Sequence, residues 1–196
     1  MEPQALLSAL HVAEHLKDVT RHCDTSGGRH ESVAEHSWRL ALMAFWLRDD
    51  FPELDMDRVI RMCLIHDLGE AFTGDIPSFL KTVADEAREE DLLSAWVRTL
   101  PEPFAGEMAA LYGEMAARQT PEAKLYKALD NLEAVIQHNE SDLAAWSENE
   151  FTLNLTYGFD KAAWSPVLLA LRQAVREETE AKILAYRERT NHEASV

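Results

Sequence analysis

Positive charge is scarce in this chain of 196 residues, where 19 Lys and Arg face 35 Asp and Glu for a formal net charge of -16. A field of that sign repels polyanions, which argues against nucleic acid polymers and acidic membrane surfaces as partners. A small anion can still be held by a local cationic site. Cysteine is nearly absent: Cys23 and Cys63 lie far apart and form no CxxC pair. Neither a disulfide framework nor a thiolate zinc site is indicated, and both read as reduced thiols. Glycine and proline number seven each, too few for a collagenous or low-complexity segment. The N-terminus lacks a basic start followed by an apolar run and a cleavage site, and no apolar stretch approaches bilayer length. The expectation is a cytoplasmic protein with no membrane association.

What is present is globular: 46% hydrophobic and 28% charged residues. That length and composition can bury a core without staples, so a single domain over residues 1–196 is expected. Between the glycines the segments read as helices, and no alternating strand pattern stands out, which makes the fold class all-α. A first helix is expected over 4–19, then a polar turn through Gly27 and Gly28. Ser32 and Glu35 stand at the spacing of a capping box, so the second helix starts just before His36. Residues 38–47 are apolar on nearly every face, which predicts a central helix. A third helix runs from about 56 to 68 and ends near Gly69, with His66 and Asp67 on its last turn. Residues 69–77 read as a tight loop closing over whatever those two bind. Charged helices follow over 80–98 and 103–118, and the acidic run from Asp85 to Asp91 reads as a solvated face. Thr120-Pro121-Glu122 opens the helix that carries Asp130. After an irregular stretch over 140–158, a terminal helix covers about 160–189.

A His-Asp dipeptide alone carries little weight, since chance supplies about half an occurrence in a chain of this size. Its context carries more. His66-Asp67 ends one buried helix, His36 starts another, and a third helix supplies Asp130. Two imidazoles and two carboxylates suit one divalent metal ion and leave positions open for water and substrate; Mn, Fe, Co, Ni and Zn all fit such a donor set. His11 and His15 also stand one turn apart, but Val12 holds the place where a zinc-protease motif requires glutamate.

The segments Leu16-Lys17, Arg21, Arg29, Glu31 to Trp38, Ile65 to Glu70, Thr73 to Pro77, Glu122 to Lys124 and Lys127 to Asp130 together resemble the HD-domain hydrolases. They are most similar to the branch holding the bacterial 5′-deoxynucleotidases and their eukaryotic relatives. The resemblance implies a compact helical bundle with a five-helix core over about 10–140. A C-terminal helical extension, 141–196, would then pack on that core or on a dimer partner. It implies His36, His66, Asp67 and Asp130 as ligands of one divalent ion, with Mg joining the candidate metals. It implies Glu70 and Asp75 as catalytic residues and Arg21 as a substrate contact; the charge of a phosphoryl group calls for a further cation, for which Lys81 is the second choice after Arg21. The implied reaction removes the 5′-phosphate from (deoxy)nucleoside monophosphates by metal-activated water. Where the best-known bacterial members place a tryptophan after the arginine, this chain has His22, which opens the choice between deoxyribose and ribose. A homodimer is also common among such relatives.

Rival readings are a nucleotide pyrophosphohydrolase, a cyclic-dinucleotide phosphodiesterase, a di-iron oxygenase and a noncatalytic nucleotide sensor. The phosphodiesterase and the oxygenase need a second metal, yet the chain has no histidine between His66 and His138. One metal is the economical count. Binding alone would not demand proton-transfer groups, so the presence of both Glu70 and Asp75 argues against the sensor.

Overall fold

The computed structural model describes residues 1–77 and 80–193, residues 192 and 193 by their backbone. The chain forms two compact units, one of Met1–His22 with Glu31–Tyr126 and one of Cys23–His30 with Lys127–Val196. Among the described residues nearly all regular structure is helical, as the sequence predicts.

The first unit contains α1 (Pro3–Glu14), a 3-10 turn at His15–Lys17, α2 (Val33–Trp46), α3 (Met56–Ile65), α4 (Glu70–Thr73), α5 (Val83–Val97) and α6 (Phe104–Ala117). It also holds the first turn and a half of α7 (Pro121–Glu140). The capping box forms as expected: Glu35 N–H donates to Ser32 Oγ at 3.2 Å, and Ser32 N–H donates to Glu35 Oε2 at 2.9 Å. Two donors that a helix start would leave unsatisfied are thereby paired, which fixes where α2 begins. Val33, His36, Ser37, Leu40, Ala41 and Ala44 form its buried face. The opposite face is not central, since Trp38 and Trp46 are 63% and 68% exposed. Composition overstated the burial of this helix because its aromatic residues fall on the solvent side. α3 packs along α2 with Met56, Val59, Met62 and Cys63 inward. Leu16, Val33 and Leu68 make a core cluster with Ala13, Ile65, Leu93, Trp96 and Met108 around it.

Three local expectations change. The first helix stops at Glu14, and the chain turns into a two-stranded hairpin, β1 (Thr20–Asp24) and β2 (His30–Ser32). Strands of five and three residues are too short to show alternation. The 69–77 segment is not all loop: α4 makes one helical turn before Gly74, at φ +77, ends it.

The second unit carries the rest of α7, a 3-10 turn at Leu143–Ala145, α8 (Glu150–Thr156), α9 (Phe159–Ala162) and α10 (Pro166–Glu193). Leu143, Trp146 and Ile183 form its core with Phe151, Leu155 and Tyr186. The terminal helix begins at Pro166 rather than near 160, because a residue before proline avoids the helical region while proline suits a first turn. Arg172 is fully buried; it donates to the carbonyls of Tyr157 at 2.7 Å and Asn154 at 2.6 Å, and lies over the Phe159 ring. No described helix is long and apolar enough to cross a membrane.

Candidate metal centre

The site starts from two helix ends in the first unit. His36 sits four residues past Ser32, and the capping box fixes its place at the start of α2, where it is fully buried. His66 caps the C-terminal end of α3. A helix end leaves carbonyls without intrahelical partners, and the ring of His66 takes one of them, its Nδ1 lying 2.9 Å from the Cys63 carbonyl. A carbonyl can only accept, so Nδ1 must carry hydrogen and Nε2 points its lone pair the other way. Tyr112 Oη donates to the Ile65 carbonyl at 2.7 Å and helps secure the same helix end.

Three atoms meet on the Nε2 side. His36 Nε2 and His66 Nε2 are 3.2 Å apart. Asp67 Oδ2 lies 2.9 Å from His66 Nε2 and 3.8 Å from His36 Nε2. With the ring neutral, its lone pair facing a carboxylate oxygen at 2.9 Å is repulsive, and either a proton on Nε2 or a cation held by both atoms relieves it. Nitrogen and oxygen donors of this kind suit a divalent ion of borderline hardness, and His36, His66 and Asp67 therefore fit one. Asp130, the fourth ligand expected from the sequence, lies in the second unit, where its Oδ2 accepts from Lys127 Nζ at 2.6 Å.

Glu70 is buried on α4, one helical turn beyond Asp67, and its Oε2 has no hydrogen-bond partner among the described residues. Burial, with repulsion from Asp67, Asp75 and Glu89, pushes its carboxyl up to about 10, against a weaker opposite pull from His66. Such an oxygen is a place for a proton, a water or a cation. Burial also raises Asp75; Arg21 opposes that most strongly, Asp67 adds to it, and His22 and Lys81 pull it back. Arg21 itself pairs with buried Glu31 through Nε at 3.3 Å. The structure thus brings His36, His66, Asp67, Glu70, Asp75, Arg21 and Lys81 into the first unit.

A cavity of about 750 Å³ reaches His66, with Lys81, Glu89, Leu93, Tyr112 and Tyr126 on its wall. Tyr126 meets the His66 ring edge-on with centroids 5.7 Å apart. The sequence reading missed Tyr112, Tyr126 and Glu89. Glu89 is the instructive case, since it was expected on a solvated face. Its side chain is only 17% exposed and accepts from Lys81 Nζ at 2.7 Å. The signal was its place four residues before Leu93, on the inward stripe of α5.

Comparison with known proteins now adds to the geometry. A profile of the HD domain family matches residues 13–172. The human protein named 5′-deoxynucleotidase HDDC2 is 34% identical over 141 residues, covering 70% of this chain and 68% of that protein. Its mouse counterpart is 38% identical over 112 residues, covering 56% of this chain and 55% of that protein. Among solved structures, a predicted metal-dependent phosphohydrolase from Magnetospirillum magnetotacticum MS-1 superposes with a TM-score of 0.75 at 29% identity. That alignment covers 91% of this chain and 93% of the other.

Proposed function

The chain belongs to the HD-domain family, and we propose that within it the protein is a metal-dependent phosphohydrolase releasing phosphate from (deoxy)nucleoside 5′-monophosphates. The observation that carries this reading is the meeting of His36 Nε2, His66 Nε2 and Asp67 Oδ2, with the His66 tautomer fixed by Cys63. In this proposal His36, His66 and Asp67 hold one divalent ion, and Asp130 is its fourth ligand by the sequence resemblance. Mn, Co, Ni, Fe, Zn and Mg are the candidates. Such an ion supplies charge stabilisation at the phosphoryl oxygens and a more acidic water. The match over 13–172 runs through both units, which supports one HD domain rather than two independent ones.

The remaining steps belong to this chain's own side chains. Arg21 and Lys81 bind the phosphoryl dianion, whose two charges need cations in a chain this acidic. Glu70, buried one helical turn beyond Asp67, donates a proton to the leaving 5′ oxygen. Asp75, held by the Arg21 charge, takes or orients the proton of the attacking water. His22 beside Arg21 meets the sugar, so the preference between ribose and deoxyribose is read at that position. The homodimer common among such relatives stays part of this proposal, and the length of α10 permits it.

The test is phosphate release from paired ribo- and deoxyribonucleoside monophosphates with each of the six metals. Turnover with at least one pair is expected, together with loss of turnover in Asp67→Ala. No turnover with any metal removes the enzyme reading in favour of a sensor. Turnover surviving Asp67→Ala removes the site.

A further inference from the structure

Lys81 and Glu89 form an ion pair on the wall of the cavity that reaches His66, 2.7 Å apart, with side chains 18% and 17% exposed. Glu89 reaches this place by a close approach. A Cβ on Gly69 would lie 2.7 Å from Glu89 Cγ and 3.1 Å from its Oε1, so glycine leaves the side chain room to pass and any larger residue would push it aside. Having crossed Gly69, the carboxylate also lies 3.4 Å from Thr73 Oγ1, at the far end of the turn that carries Glu70. Glu89 comes from α5 and Gly69 from the start of α4, so this crossing ties two elements together. The Lys81 ammonium stands in the fields of Glu70 and Asp67 as well, and its affinity for the proton rises with Glu89 beside it despite the opposing effect of burial.

We propose that Glu89 is a positioning residue: threaded over Gly69, it holds the Lys81 ammonium where the phosphoryl group of the substrate is bound. This rests on the phosphohydrolase reading above. An ammonium has three donors, and Glu89 takes one, fixing the direction of the others. A flexible lysine loses side-chain freedom when it grips a ligand, and a partner that orders it beforehand reduces that loss. Glu89 therefore reaches phosphate through Lys81, beside the repulsion that it adds at Glu70.

The experiment is a double-mutant cycle on the metal-loaded full chain with two readouts, steady-state nucleotide hydrolysis and calorimetric binding of inorganic phosphate. Lys81→Met is expected to raise KM and the phosphate Kd by about tenfold with kcat within about twofold, because a charge-assisted contact is lost in ground and transition states alike. Glu89→Gln should reproduce part of that rise in wild type and add nothing in the Lys81→Met background. Gly69→Ala keeps both charges yet displaces Glu89, so it should shift KM in the same direction, and Glu89→Ala in the Gly69→Ala background should add nothing further. Multiplicative effects of Lys81→Met and Glu89→Gln overturn the proposal, as does an unchanged KM and Kd in Glu89→Gln or a wild type that binds no phosphate. If phosphate binding shows the coupling while no nucleotide is hydrolysed, the inference stands and the nucleotidase reading falls.

Discussion

Removing the Ser32 hydroxyl should destabilise the protein while leaving metal affinity nearly unchanged. The hydroxyl accepts the Glu35 amide at 3.2 Å and also meets Glu35 Oε2 at 3.0 Å, so Ser32→Ala removes both contacts and leaves of the capping box only the main-chain N–H of residue 32 on Glu35 Oε2. Loss of such a cap costs about 1 kcal/mol. In a chain of this length that lowers Tm by about 2–4 °C. The effect on the metal site follows from local opening of the first turn of α2. Val33 and His36 are both fully buried. Exposing Val33 alone costs on the order of 1.5–3 kcal/mol, and exposing the ring adds to it. An opening that costs about 3 kcal/mol is populated below roughly one per cent; a further 1 kcal/mol multiplies it about fivefold. More than nine-tenths of the molecules then keep a competent site, and the apparent metal Kd changes by less than about 1.2-fold. Thermal unfolding in chelator and in saturating Mn should therefore show parallel shifts for Ser32→Ala, with titration calorimetry returning the wild-type affinity. An unchanged Tm would refute the energetic role of the cap. A Kd rising fivefold or more would refute the rigid helix start.

Other expectations concern charge and burial. Glu70 has a raised pKa, so the folded protein without metal binds more protons than the unfolded chain between the ordinary carboxylate range and about 10. Stability from this group therefore falls as pH rises through that window. In chelator, the Tm of wild type should drop more steeply between pH 6 and 9 than that of Glu70→Gln; equal slopes would contradict it. Glu114 is held below the usual range by the Arg58 hydrogen bond, against some burial, with Thr120 assisting. Its contribution is present above the unfolded pKa and disappears as pH falls through the folded one. Glu114→Gln should be about 1 kcal/mol less stable at neutral pH in urea unfolding, with the gap closing in acid. Arg172→Ala should cost about 3 kcal/mol, because the Tyr157 and Asn154 carbonyls stay buried without their donor. A loss below about 1 kcal/mol in urea unfolding would show that water replaces the guanidinium.

Local chemistry was readable where a few neighbouring residues decide the outcome. Ser32 and Glu35 specify a helix start by their spacing, and Thr120, whose Oγ1 accepts the Ala123 amide at 3.2 Å, specifies another. Long-range geometry was not. The β1–β2 hairpin pairs backbone groups whose side chains carry almost no pattern. The solvent face of Trp38 and Trp46 depends on which side of α2 meets α3, which composition along a single helix does not encode. Glu89 looked solvated because its neighbours are acidic, and its inward turn requires Gly69, twenty residues earlier and on another element. His36, His66 and Asp67 were identifiable as a set because two of them sit at helix ends that the sequence marks on its own.

The bond between the His66 ring and the Cys63 carbonyl does two jobs with one contact. It closes the last turn of α3 and it selects the tautomer that turns a lone pair toward His36 and Asp67. Substituting His66 thus removes a helix stop together with a proposed metal ligand, and the two losses cannot be separated by changing that residue alone. The acceptor is main chain, so the bond itself asks nothing of the side chain at 63, which is constrained instead by its packing inside the core. On the proposed reading, a descendant of this chain could lose catalysis by changing Glu70 or Asp75 and still keep its fold, but losing the imidazole at 66 would also unpick the end of a helix.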